Sequence, residues 1–135
     1  MVVHSQAGIR GGLWYATEPF IRLSENASDE QLADALGRAL LASVNHQDPP
    51  PGLDLKDVER PIYRLFGVRS RREFMEGART VHIEERDDDL VEIVPKLNKG
   101  ARDGFAWAED RSITLRSPSL SDLAESVRRG LAAAE

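Results

Sequence analysis

Cysteine is absent from this chain of 135 residues. Its absence excludes a disulfide framework, a thiolate zinc site and a thiol nucleophile together, and is compatible with a reducing cytoplasm. Long apolar runs are missing too: none approaches the roughly 20 residues that span a bilayer, and the N-terminus has no basic start followed by an apolar stretch. Neither export nor a membrane partner is expected, which leaves a cytoplasmic location. Positive charge is in deficit, with 18 Lys and Arg against 23 Asp and Glu and a net charge of −5. A surface of that sign repels phosphate backbones, so the expected partner is a basic protein and not nucleic acid. There is no internal repeat, and the one low-complexity tract, Pro49-Pro50-Pro51-Gly52, reads as a short stiff connector.

What the chain does have is a globular balance. Hydrophobic residues make up 41% and charged residues 30%, near the soluble-domain averages of roughly 45–50% and about 25%. The length fits a single domain over residues 1–135, able to bury about two-thirds of the surface its unfolded chain exposes.

Residues 11–24 mix aromatic and β-branched side chains (Trp14, Tyr15, Thr17, Phe20, Ile21) around Pro19, the pattern of two short strands and a break, while Gly8, Gly11 and Gly12 read as turns. Ser28 caps a helix over about 29–45, with Gln31 closing a capping box and Leu32, Ala35, Leu36, Ala39, Leu40 and Ser43 along its buried face. Residues 46–60 read as a solvated loop. Ser70 with Glu73 opens a short helix over about 71–77, ended by Gly77, from which Phe74 faces the core. Residues 80–85 alternate, with Val81 and Ile83 inward and Thr80, His82 and Glu84 outward, and residues 90–97 pair with them through a turn at Asp87, Asp88 and Asp89. Residues 105–108 and 112–115 are two further strands joined at Glu109 and Asp110. Ser119 caps a last helix over about 120–134 with a stripe of Leu120, Leu123, Ala124, Val127 and Leu131. The expected fold is α+β: a mostly antiparallel sheet flanked by the two longer helices, with the short helix beside it.

Residues that could carry chemistry are scattered. His4, His46 and His82 are isolated, with no H-x-x-H or H-E-x-x-H spacing to place two ligands on one helical face. His82, outward on its strand, would need folding to bring a carboxylate near it. The serines lack a G-x-S-x-G turn, and Ser28, Ser70 and Ser119 are employed as caps. The N-terminal glycines lack the preceding strand and following helix of a phosphate cradle. Glu84, Glu85 and Glu92 could supply paired carboxylates, positions 84 and 92 facing each other across the hairpin. Acid and base work of the glycosidase kind, however, needs a cleft that desolvates one of them, and a hairpin tip offers none. The three aspartates also miss the calcium-loop spacing. The expectation is therefore no catalytic residue, no metal and no cofactor.

Charge is segregated along the chain. Residues 59–82 carry six arginines against three glutamates, whereas residues 83–110 carry nine acids against four bases. Folding can intermix two such blocks into an ordinary solvated surface. The functional reading is a docking surface for a basic partner, since an acidic patch raises encounter rates and rejects wrong partners.

At Gly67-Val68-Arg69-Ser70, followed by Phe74, Gly77-Ala78, Val81, Ile93, Pro95 and Gly104-Phe105, the sequence resembles the immunity proteins of bacterial contact-dependent growth inhibition systems. The opening is similar as well, with Leu13-Trp14-Tyr15 ahead of a capped helix bearing Leu32, Leu36 and Leu40. The resemblance implies a protein that is not an enzyme. It would bind and neutralise the C-terminal toxin domain of a cognate effector, and many such toxins are basic nucleases. The matching residues are mainly glycines and core positions, so the binding site is assigned from charge alone: Glu84, Glu85, Asp87, Asp88, Asp89 and Glu92, with Asp103, Glu109 and Asp110 as extensions. Two other functions fit parts of the sequence. A small RNA-binding module could use Arg60, Arg64, Arg69, Arg71, Arg72 and Arg79, although these lack the interleaved exposed aromatics that single-strand stacking requires. An enzyme whose site is assembled only in three dimensions is the other, and a deep pocket with convergent polar groups would reveal it.

Overall fold

The computed structural model describes residues 1–135 apart from Gly11, Leu55, Lys56, Asp87 and Asp88, and for His46 the backbone alone. The chain divides into two compact units, Met1–Arg69 and Ser70–Glu135. The fold class is α+β as expected, with the strands divided between two sheets where the sequence suggested one.

In the first unit β1 (Val2–Ile9) is central, antiparallel to β2 (Leu13–Arg22) and parallel to β3 (Val44–Gln47). Sequence pattern alone does not reveal β1, because His4, Ser5 and Gln6 dilute its apolar alternation. Ser5 is fully buried by donating its hydroxyl to the Ala39 carbonyl at 2.8 Å. That bond replaces the one lost to water and ties the strand to α1 (Asp29–Ala42). Gly8 lies in this strand and not in a turn, with the Trp14 ring 3.1 Å from where a Cβ would stand. β2 runs on through Pro19. Pairing steps from His4 opposite Phe20 to Ser5 opposite Thr17, so Glu18 and Pro19 bulge out and the missing proline N–H costs no ladder bond.

The capping box of α1 is complete: the Gln31 N–H donates to Ser28 Oγ at 3.2 Å, and the Ser28 N–H donates to Gln31 Oε1 at 2.9 Å. Leu32, Ala35, Leu36 and Ala39 are buried as the spacing predicts. The helix stops at Ala42, short of the expected 45, because Ser43 turns extended and residues 44–47 join the sheet as β3. After the proline loop comes α2 (Arg60–Phe66), with Pro61 in its first turn and Gly67 closing it at φ 73. It buries no residue, so there was no stripe to read.

In the second unit β5 (Leu90–Asn98) is central. β4 (Thr80–Arg86) pairs along one side in unbroken register, from Thr80 opposite Lys96 to Arg86 opposite Leu90. The other side is shared: β7 (Ile113–Arg116) pairs with residues 90–93 and β6 (Phe105–Trp107) with residues 96–98. A short 3₁₀ turn, Glu109–Arg111, links these two strands. Ser70 Oγ accepts the Glu73 N–H at 3.2 Å to open α3 (Arg71–Met75), which ends two residues before Gly77. Met75 is its buried residue, and Phe74 is only half-buried. The Asn98 amide donates to the carbonyls of Met75 at 2.7 Å and Ala78 at 3.0 Å and accepts the Gly100 N–H, so it links α3 to the end of β5 and the start of α4 (Gly100–Asp103).

One face of this sheet is covered by α5 (Leu120–Ala133), whose capping box is built on Ser119 and Asp122. The buried side is Leu123, Ala124, Ser126, Val127 and Gly130, whereas Leu120, expected in the stripe, is 47% exposed. At Gly130 the helix comes closest to the sheet: a Cβ there would stand 3.0 Å from Val81 Cγ1 and 3.2 Å from Ile93 Cγ2, so a larger residue at this position would push the two apart. No described helix is long and apolar enough to cross a membrane.

Candidate functional site

Because Val81 and Ile93 meet Gly130, strand alternation puts His82, Glu84, Glu92, Val94 and Lys96 on the face turned away from α5. The hairpin end of that face is acidic. Glu84 and Glu92 stand directly opposite each other, as their sequence positions suggested. Two like charges so placed repel. Arg86 relieves this by reaching both, with Nη2 at 3.2 Å from Glu84 Oε2 and 2.6 Å from Glu92 Oε2. The trio keeps one surplus negative charge, with both carboxylates held in fixed directions.

The other residues assigned from charge distribute around this pair. Glu85 is exposed at the same end of β4 but on the opposite face. Asp89 is exposed in the connection, in the left-handed region at φ 61, and its carbonyl accepts the Ser117 N–H at 2.7 Å. Asp87 and Asp88 lie outside the described residues. Glu109 and Asp110 are exposed on the 3₁₀ turn beside the middle of β5, where the Ala108 N–H donates to the Pro95 carbonyl. Asp103 falls away from the group: it belongs to α4, beyond Asn98, and Asn98 lies about 20 Å along β5 from Glu92. Its carboxylate is 3.6 Å from Arg102.

Toward the other end of the face is a cluster that charge counting missed. Lys96 and Trp107 are cross-strand neighbours, and Lys96 Nζ lies 4.1 Å from the indole centroid. His82, expected outward and exposed, is only 8% exposed, its ring standing edge-on to Trp107 at 4.9 Å and 88°. Alternation identified the face correctly but not what covers the imidazole. Trp107 remains 50% exposed. Burial pushes the Lys96 ammonium below the ordinary lysine value. The signal that could have found this cluster is the β5–β6 pairing, which the sequence does not reveal before the fold is known.

The arginines of the alternative basic segment fall three in each unit, and Arg60 is paired with Asp57 at 3.0 Å. Among the described residues no group of three or more His, Cys, Asp or Glu could hold a metal ion.

The face thus carries an acidic pair bridged by Arg86 at the hairpin end and a half-exposed ring beside Lys96 toward the other. Solved structures share the fold. A Neisseria meningitidis protein of unknown function matches with a TM-score of 0.78 and 16% identity, covering 99% of this chain and 88% of its own. A chain of the CdiA-CT/CdiI toxin and immunity complex from Yersinia pseudotuberculosis matches with a TM-score of 0.73 and 16% identity, covering 98% of this chain and 89% of its own. No protein-family model matches the sequence, and no curated protein does.

Proposed function

We propose that this chain is an immunity protein: it binds and neutralises the C-terminal toxin domain of a contact-dependent growth inhibition effector, and it acts as an inhibitor, not as an enzyme. The observation that carries the reading is the likeness in fold, over 98% of the chain, to a chain of a toxin and immunity complex. The surface supports it. A nuclease toxin cradles phosphates with Lys and Arg, and an inhibitor can occupy that cradle with carboxylates. Glu84 and Glu92, oriented by Arg86, supply carboxylates already ordered in the free protein, which lowers the entropy lost on binding. Exposed Glu85 and Asp89 extend the field around them.

The test is co-expression with the C-terminal domain of the effector encoded beside this chain's gene. Growth should be restored, the two proteins should co-purify, and toxin domains from unrelated effectors should go unprotected. Absence of both protection and complex would overturn the reading. So would an RNA- or DNA-cleaving activity of the pure protein that one point substitution abolishes.

A further inference from the structure

We propose that Lys96, seated on the half-exposed ring of Trp107, receives a carboxylate of the protein partner, about 13 Å along β5 from the glutamates that meet the partner's basic side chains. The inference rests on the immunity reading and deepens it, since it makes the partner's contact surface bipolar and gives a second determinant of specificity.

Three observations converge on Lys96. Its ammonium lies over an indole face and, among the described residues, in no ion pair with a carboxylate, whereas Arg86 on the same face holds two. Its position is fixed: register sets Lys96 beside Trp107 on one side and Thr80 on the other, and buried His82 braces the ring from its edge. The ring that carries it is 50% exposed and Lys96 itself is half-buried, so the pair sits at the surface and not in the core. The lowered titration of Lys96 agrees, because a cation that burial desolvates and that pairs with no carboxylate among the described residues has lost water without a charged replacement there. An incoming carboxylate supplies that counter-charge in a site of reduced dielectric, where it is worth more than at an exposed rim. A tryptophan beside a preset charge is also the kind of residue on which interface energy concentrates.

Charge complementarity selects the partner. A wholly basic surface would meet Glu84 and Glu92 favourably but would set like charge against Lys96, a contact that costs affinity. The fitting partner has basic groups at one end and an Asp or Glu at the other, so non-cognate toxins lacking that acid are rejected at this point.

The experiment measures binding of the neighbouring effector's C-terminal domain, made catalytically inert, to the parent and to Lys96→Glu, Lys96→Met, Lys96→Arg and Trp107→Phe, each checked for native circular dichroism. Lys96→Glu should weaken binding tenfold or more, about 1.4 kcal/mol, with Lys96→Met intermediate and Lys96→Arg near the parent. A set of single Asp or Glu to Lys substitutions on the toxin domain should contain one that restores binding to Lys96→Glu and damages binding to the parent. If Lys96→Glu does not fold, the graded loss from Lys96→Arg to Lys96→Met, and the toxin reversal that weakens the parent but not Lys96→Met, carry the same test. A parent that binds while Lys96→Glu or Lys96→Met binds equally well would overturn the inference and leave the immunity reading standing. Equal losses for every variant with no rescuing reversal would overturn it too, since packing alone would then explain them. A parent that does not bind the domain would remove both.

Discussion

The two hairpins of this protein are built on the same plan and put to different use. In each, a strand pair is backed by a helix of 14 residues that opens on a serine capping box, Ser28 for α1 and Ser119 for α5. The β1–β2 hairpin breaks its register at Pro19 and spends its one fully buried polar side chain, Ser5, on holding α1. The β4–β5 hairpin keeps its register from end to end and carries opposed glutamates, a bridging arginine and a lysine on the face turned away from its helix. Unbroken register keeps alternating side chains on one face, so charges spaced two residues apart stay aligned. A bulge would have scattered them.

If the plan is shared, damage to equivalent core positions should be equivalent. Leu32→Ala in the first unit and Ile93→Ala in the second, both with 0% exposure, should each cost about 2–5 kcal/mol, read by urea unfolding followed at Trp14 and at Trp107. A cost under about 1 kcal/mol at either position would mean that its core is not packed as described. Next in size are the caps. Ser28→Ala and Ser119→Ala should each cost about 1 kcal/mol, and a large inequality between them would show that one helix depends far less on its first turn.

Where the hairpins differ, the variants should differ too. Arg86→Gln leaves Glu84 facing Glu92 without a shared cation and should destabilise the second unit by up to about 1 kcal/mol. The loss should shrink as salt is added, because screening weakens the exposed repulsion. A salt-independent loss would assign Arg86 to packing and not to charge.

The finest distinction is the titration of Lys96. Burial lowers its folded value below the ordinary 10.5, so between that lowered value and 10.5 the unfolded chain binds more protons than the folded one. Stability gained from this group therefore rises with pH through that alkaline window. Measured against Lys96→Met at each pH, the parent should gain stability as pH approaches 10.5 and gain none around neutrality. A difference flat across the alkaline range would mean that the ammonium is well solvated.

Legibility in the sequence followed the range of the interactions. Both long helices could be read from their caps because a capping box lies within four residues, and the opposition of Glu84 and Glu92 followed from a short hairpin connection. β1 escaped because Ser5 is buried through a bond to a residue 34 positions away, which no local pattern records. α2 escaped because it buries nothing. At the site, the acids could be read as a cluster but Arg86 counted only as one base among four, and its place between two carboxylates depends on side-chain reach. Asp103 was grouped with the hairpin by its nearness in sequence, yet β5 carries the chain away from the hairpin end before α4 begins. The Lys96 and Trp107 pairing required knowing that β6 returns antiparallel along β5 after α4.

The most direct measurement is the rate at which the neighbouring effector's inert C-terminal domain associates with the parent and with the Glu84→Lys, Glu85→Lys double variant, across a range of salt. Steering by the acidic hairpin end should raise the parent's rate above the roughly 10⁵–10⁶ M⁻¹s⁻¹ of an unsteered encounter, with a steep fall as salt is added. The double variant should associate at least tenfold more slowly at low salt and respond little to it. Equal rates and equal salt dependence for the two proteins would contradict the claim that the acidic end of the β4–β5 hairpin is where the toxin docks.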